Sequence, residues 1–289
     1  MKNEGYIKKG RQQGRERSQN PRHGDFSGDA RRRVRDEEQE VGENIISGRN
    51  AVTELLKSGR DIEKIYIQTG ELEGSILLIA RMATDKKVPL IPIEKQRLQT
   101  LCGNTHHQGV VAVAAERNYS SVADILRYAE ERGEPPFIVI LDGVEDPHNL
   151  GAVIRSAECM GAHGVVIPKR RAAGLTPAAV KASAGAIEHM RVAKVVNISG
   201  VIDELKEKGV WVYGADMSGD NFARADLRGP IAIVLGNEGS GISHLVREKC
   251  DFIISIPMFG SVNSLNVSAA GAVLLTEVAI QRHGGRSAN

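Results

Sequence analysis

Aromatic residues make up only 4% of the 289-residue chain, cysteines number three, and no apolar run approaches the length of a membrane span. Each shortage excludes something. So few rings leave no base-stacking platform of the kind that single-strand binders use. Cys102, Cys159 and Cys250 lie far apart without CxxC spacing, and the eight histidines contain no HxxxH pair, so neither a disulfide framework nor a metal site is expected. Without a run of roughly 18–20 apolar residues, or a signal-peptide core near Met1, no membrane is expected and the cytoplasm is the expected location. GxGxxG and GxxxxGK[ST] are both missing, which leaves dinucleotide and P-loop readings without support.

Net charge is also scarce, at +2, and this shortage misleads. Residues 1–35 hold eleven Lys or Arg against four acids, or +7, and the remainder carries −5. The start of the chain is rich in Gly, Gln and Asn and nearly free of aliphatic residues, so residues 1–42 are expected to form a disordered basic arm. Arg31-Arg32-Arg33-Val34-Arg35 concentrates charge in a way that suits a polyanion. Its acids, and the lack of a Ser-rich amphipathic helix, argue against a transit peptide.

Apolar periodicity begins at Ile45. A helix led in by Ser47-Gly48-Arg49-Asn50 and stopped at Gly59, strands at 63–68, 88–93 and 109–114, and a helix at 75–87 make a small α/β unit, residues 43–117. A connecting helix at 120–132 ends at Gly133 and Pro135-Pro136, within a linker spanning 118–135. From 136 to 289 strands are expected at 137–141, 164–167, 190–195, 211–215, 231–235 and 252–256. Helices are expected at about 150–160, 177–187, 201–208, 243–248 and 265–280. Strands alternating with helices imply an α/β fold with a mainly parallel sheet, whose ligands sit beyond the strand C-termini.

Three loops at strand ends combine glycine with polar side chains. The first, DGVEDPHNLGAVIRSA at 142–157, places Leu150, Ile154 and Ala157 on a core face, with Gly151 and Arg155 four apart on an adjacent stripe. A glycine there leaves room for a ligand to approach the guanidinium; a plainer account makes Asn149 a helix N-cap and Arg155 a surface ion-pair partner. In the second, VLGNEGSG at 234–241, a tight turn explains the glycines but not Glu238. The third, IPMFGSVNSLNVSAAGA at 256–272, clusters Ser261, Asn263, Ser264, Asn266 and Ser268 where a helix starts, before a small-residue stretch suited to close packing.

In this order and spacing, the three segments resemble the signature motifs of the SpoU (TrmH-like) RNA 2′-O-ribose methyltransferases of the SPOUT superfamily. SGRNAVTELL and HHQGVVAVA, within 43–117, resemble the L30e-like substrate-binding domain of the large-subunit ribosomal RNA guanosine methyltransferases of that family. The resemblance implies a deep trefoil knot in the C-terminal SPOUT domain, S-adenosylmethionine as cofactor, ribosomal RNA as substrate and a homodimer with the site at its interface. Gly236, Ile256 and Leu265 are then the cofactor-binding residues, and Arg155, Asn149, Glu238, Ser264 and Asn266 the catalytic ones. The alternatives are a transfer RNA methyltransferase with the same chemistry and a non-catalytic RNA-binding or ribosome-assembly protein. A Rossmann-type methyltransferase is disfavoured, because its glycine loop follows the first strand and here the glycines come late.

A ribose hydroxyl is a poor nucleophile near neutral pH, and in-line methyl transfer requires both alignment and loss of its proton. Guanidinium groups hold their proton at working pH, so Arg155 suits stabilisation of the developing alkoxide better than general-base duty, although the sequence does not decide between them. Acids of the −5 body are expected away from the site, and basic residues such as Arg49 and Arg155 toward it. Deleting residues 1–40 is expected to weaken RNA affinity and flatten its salt dependence, with cofactor affinity unchanged; an unaltered salt slope in filter binding removes the arm from RNA recognition.

Overall fold

The computed structural model describes residues 45–70, 74–102, 106–115 and 117–284. The expected basic arm, 1–42, lies outside them.

Strands β1 (Ile45–Ser47), β2 (Ile62–Gln68), β3 (Leu90–Ile93) and β4 (Val110–Ala114) form one sheet in the order β1-β4-β2-β3. Both β1 and β2 run antiparallel to β4, whereas β3 is parallel to β2. Helix α1 (Arg49–Ser58) buries Val52, Leu55 and Leu56, α2 (Ser75–Asp85) buries Ile76, Ile79 and Ala83, and α3 (Lys95–Leu101) buries Leu98 alone. Neither β1 nor α3 is foreseen from the sequence: three residues are too few to show alternation, and one buried leucine gives no helical period.

Helix α4 (Val122–Glu131) connects to the second sheet and carries a capping box, in which Ser121 accepts from the Asp124 N–H while the Asp124 carboxylate accepts from the Ser121 N–H. Six strands follow: β5 (Phe137–Asp142), β6 (Gly164–Pro168), β7 (Arg191–Val195), β8 (Trp211–Asn221), β9 (Ile231–Gly236) and β10 (Phe252–Ser255). They are ordered β10-β8-β9-β5-β6-β7, and every neighbouring pair is parallel. Continuous apolar runs such as Phe137 to Leu141 and Ile231 to Leu235 are buried throughout, as a sheet covered on both faces requires.

Helices α5 (Pro147–Cys159), α6 (Pro177–Ala182), α7 (Ile198–Glu207), α8 (His244–Lys249) and α9 (Val267–His283) complete the fold. The α5 start departs from the expected position near Leu150, because Asp146 caps the helix by accepting from the His148 N–H and Pro147 takes the first helical position. The expected helix at 177–187 divides into α6 and a 3₁₀ turn, Ala186–Glu188. Strand β8 outruns its expected end at 215, since its far part pairs with β10 after a register break between Ile253 and Ile254. Among the described residues, no helix is long and apolar enough to cross a membrane, and no group of three His, Cys, Asp or Glu is placed to hold a metal.

One buried apolar cluster runs without interruption from Val52 and Ile65 beside the first sheet to Leu150 and Ile233 of the second half. An ion triad reinforces this junction. Glu188, with a side chain 1% exposed, receives Arg60 from the chain after α1 at 3.3 Å and Arg117 from the segment before α4. Glu188→Ala would strand two partly buried guanidiniums beside each other, and is expected to destabilise the protein by about 3 kcal/mol. An unchanged midpoint in thermal unfolding would deny the triad that role.

Candidate active site

Because all six strands of the larger sheet point the same way, the segments after β5, β6, β9 and β10 emerge at one edge. Asp142 at the end of β5 accepts from the Ser243 N–H at 2.8 Å, tying the start of α8 to this edge. Next along it, the turn after β9 closes on itself. Asn237 N–H donates to the Gly241 carbonyl at 3.0 Å and Gly241 N–H returns to the Asn237 carbonyl at 2.9 Å. A Cβ on Gly236 would stand 2.1 Å from the Gly241 carbonyl carbon, so the closure depends on glycine at 236. The Asn237 side chain donates to the Gly143 carbonyl at 2.8 Å and accepts from the Gly239 N–H at 2.8 Å. Asn237 thus fixes the β9 turn to the β5 loop; its position directly after a strand and a glycine is the signal that could have marked it.

Three of the expected site residues meet. Asn266 caps α9, its Oδ1 accepting from the Ser268 N–H at 2.9 Å. Its amide nitrogen is thereby turned toward Asn149 and donates to Asn149 Oδ1 at 3.1 Å. Asn149 in turn donates through Nδ2 to Glu238 Oε1 at the exposed tip of the β9 turn. Since the α9 N-terminus fixes one end, every donor and acceptor in the chain Asn266 to Asn149 to Glu238 has a set direction. Close packing holds the anchor in place: α9 lies against α5 and β9, with Gly271 so near that an added Cβ would sit 2.9 Å from Leu235 and 3.7 Å from Val153.

Other expectations need correction. Asn149 is not the N-cap of α5; it lies in the first turn, buried, and turned to Glu238 and Asn266. Arg155 is exposed and its side chain makes neither a hydrogen bond nor an ion pair among the described residues, so it is not a surface salt-bridge partner there. It stands six residues, roughly 9 Å along the helix axis, from Asn149. Gly151 leaves no room for a ligand: it is buried where α5 crosses α6, and a Cβ there would lie 2.4 Å from the Ala179 carbonyl oxygen. Acids are not all kept away either, since Glu145 and Asp146 stand exposed in the β5 loop beside the site. Arg49 is held by the Gln108 carbonyl at 3.0 Å and Ser75 at 3.4 Å, lining a separate polar cleft of about 950 Å³ beside the first sheet.

The segment between β10 and α9 has the chemistry of a binding surface. From Met258 to Leu265 no backbone group is hydrogen-bonded among the described residues, and Phe259, Val262 and Leu265 are 95%, 73% and 43% exposed. Ser264 is also exposed, and the structure joins neither it nor Ile256 to the amide chain by a hydrogen bond. Behind the β9 turn, Asp216 is held down to about 2, chiefly by hydrogen bonds from Ser218 and further by Arg247, so it remains an anion that occupies Arg247.

The family model for the SpoU rRNA methylases matches residues 136–276, and that for the substrate-binding region of RNA 2′-O ribose methyltransferases matches 45–120. YacO of Bacillus subtilis, named as a TrmH family tRNA/rRNA methyltransferase, is 44% identical over 241 residues, covering 83% of this chain and 96% of its own. The chain belongs to the SpoU (TrmH) methyltransferase family. A TrmH family relative from Staphylococcus haemolyticus is 45% identical over 83% of this SpoU chain and 96% of its own. The crystal structure of the SpoU methyltransferase AviRb from Streptomyces viridochromogenes, in complex with AdoMet, aligns with a TM-score of 0.70 at 26% identity, over 87% of this chain and 95% of AviRb.

Gly151→Ala in this SpoU methyltransferase is expected to cost about 1–3 kcal/mol through overpacking of α5 on α6. Urea unfolding measures it, and wild-type stability would restore the open-glycine reading.

Proposed function

We propose that this protein transfers the methyl group of S-adenosylmethionine to the ribose 2′-hydroxyl of a guanosine in 23S ribosomal RNA, acting in the cytoplasm as a homodimer. The observation that carries this reading is the directed chain from Asn266 through Asn149 to Glu238, with Arg155 exposed and unpaired among the described residues further along the helix that carries Asn149. Membership of the SpoU family supports methyl transfer to RNA, and the AdoMet bound by AviRb supports the choice of cofactor. We also assign residues 43–117 to an L30e-like RNA-binding domain, 118–135 to a linker and 136–289 to a SPOUT domain with a deep trefoil knot.

The residues present suit the cofactor. Ile256 and Leu265 bound a segment whose backbone donors and acceptors between 258 and 265 are unused among the described residues, with exposed apolar side chains alongside, and Gly236 ends β9 at the same sheet edge. Such a surface can read a purine through the main chain while covering an aliphatic tail. S-adenosylmethionine supplies an electrophilic methyl group there.

Every other role belongs to the protein. Arg155 offers five donors with no hydrogen-bond or ion-pair partner among the described residues, and stabilises negative charge as the 2′-oxygen loses its proton. Asn149 and Asn266 hold Glu238 in one orientation, so that its second carboxylate oxygen can accept from the RNA, and Ser264 adds a hydroxyl at the same edge. The separation of Arg155 from Asn149 along α5, and the exposure of Phe259 and Val262, support a second copy closing over the site.

Mass-spectrometric mapping of ribose methylation in ribosomal and transfer RNA, with and without the gene, tests the assignment. One 2′-O-methylguanosine lost from 23S RNA is the expected result; a loss confined to transfer RNA would move the substrate, and failure to bind radiolabelled S-adenosylmethionine would favour a non-catalytic scaffold. Arg155→Lys keeps the charge but loses the planar fork, and is expected to lower kcat on the order of 100-fold with cofactor affinity unchanged. A wild-type rate would remove the guanidinium from the chemistry.

A further inference from the structure

We propose that the loop after β6, carrying Lys169, Arg170 and Arg171, is a seat for the RNA backbone beside the methyl-transfer site. This rests on the reading of the protein as an RNA methyltransferase and names the part of the substrate that the loop holds, the phosphates flanking the target nucleotide.

Position is the first ground. In the strand order, β6 adjoins β5, so this loop is next to the one that leads to Asn149. The two are joined by main chain: Ala173 N–H donates to the Val144 carbonyl at 2.8 Å. Gly143 lies between the parts of the site, since an ideal Cβ on it would be 3.8 Å from the Arg171 carbonyl oxygen on one side and 3.8 Å from Asn237 Cβ on the other. Asn237 directly precedes Glu238, so the loop is one residue's width from the turn that carries the carboxylate.

Charge is the second ground. Cations elsewhere around the larger sheet are mostly taken: Arg247 pairs with Asp216, Lys206 with Asp251 and Lys249 with Asp203, while Lys194 lies over the Tyr119 ring at 4.9 Å. Lys169, Arg170 and Arg171 are all exposed, and none uses its side chain in a hydrogen bond or ion pair among the described residues. Glu145 and Asp146, the exposed acids of the neighbouring loop, pair with none of the three. Three adjacent unneutralised cations at a site edge match a polyanion of closely spaced phosphates better than a single carboxylate.

Backbone strain is the third ground. Arg171 has φ +53°, a left-handed conformation that disfavours side chains beyond Cβ. Glycine would hold that turn more easily, so an arginine kept there points to a role for its side chain.

The test uses the full chain and an unmodified 23S ribosomal RNA transcript, with filter binding across a salt series and tritiated methyl transfer followed in parallel. Arg170→Gln with Arg171→Gln is expected to weaken RNA binding about tenfold and to flatten the log–log salt slope by roughly 1.4, two contacts at about 0.7 each for single-stranded RNA. S-adenosylmethionine affinity and kcat at saturating RNA remain at wild type. Arg171→Gly relieves the backbone while removing the charge, so weaker binding with an equal or higher melting temperature excludes misfolding as the cause; Arg171→Lys is expected to retain the slope. Wild-type affinity and slope in the double variant overturn the proposal. Wild-type protein that binds the transcript through this loop yet transfers no methyl group overturns the functional reading and leaves the loop assignment standing.

Discussion

Six parallel strands oblige the chain to return to the same end of the sheet after every crossover, and this constraint creates the site. Loops from β5, β6, β9 and β10 share one edge although more than a hundred residues separate the first from the last. The connections between them can vary without disturbing the meeting, provided each strand keeps its place. Residues remote in sequence, Asn149, Glu238 and Asn266, are therefore neighbours by virtue of strand order, and the close contact of α9 with α5 and β9 at Gly271 sets the remaining spacing.

Within that frame, polarity passes along the amides. A helix N-terminus has N–H groups seeking acceptors, and Asn266 answers with its side-chain oxygen, which leaves only its nitrogen for Asn149. Asn149 has no freedom to flip without losing a bond at each end. Ordering Glu238 thus draws on the same interaction that caps α9, so a change at Asn266 perturbs fold and site together.

Much of the larger half is legible because β5, β6 and β9 are continuous apolar runs bounded by glycine, proline or acidic turns. The smaller sheet was harder to read, since β1 has three residues and α3 buries only Leu98. At the site, motif spacing marked the right loops but not how they act. Gly151 and Arg155 share a stripe in sequence, yet only the packing of α6 shows that the glycine admits a helix and not a ligand. Asn149 reads as a cap from sequence because the apolar helical period first shows at Leu150, whereas Asp146 and Pro147 start the helix a turn earlier. The place of Asn237 directly after a strand and a glycine marks it in the sequence, but its role does not show there, because its partner, the Gly143 carbonyl, lies on another strand's loop.

The junction at Glu188 bears on how a large nucleic acid is recognised. Arg60 and Arg117 meet one buried carboxylate, and the apolar cluster continues from one sheet to the other, so the two sheets share a single packed core. The spacing of the two sheets is therefore set by buried contacts within the protein. An RNA that touches both halves must match that spacing, which makes the separation of its own contact points part of what is recognised.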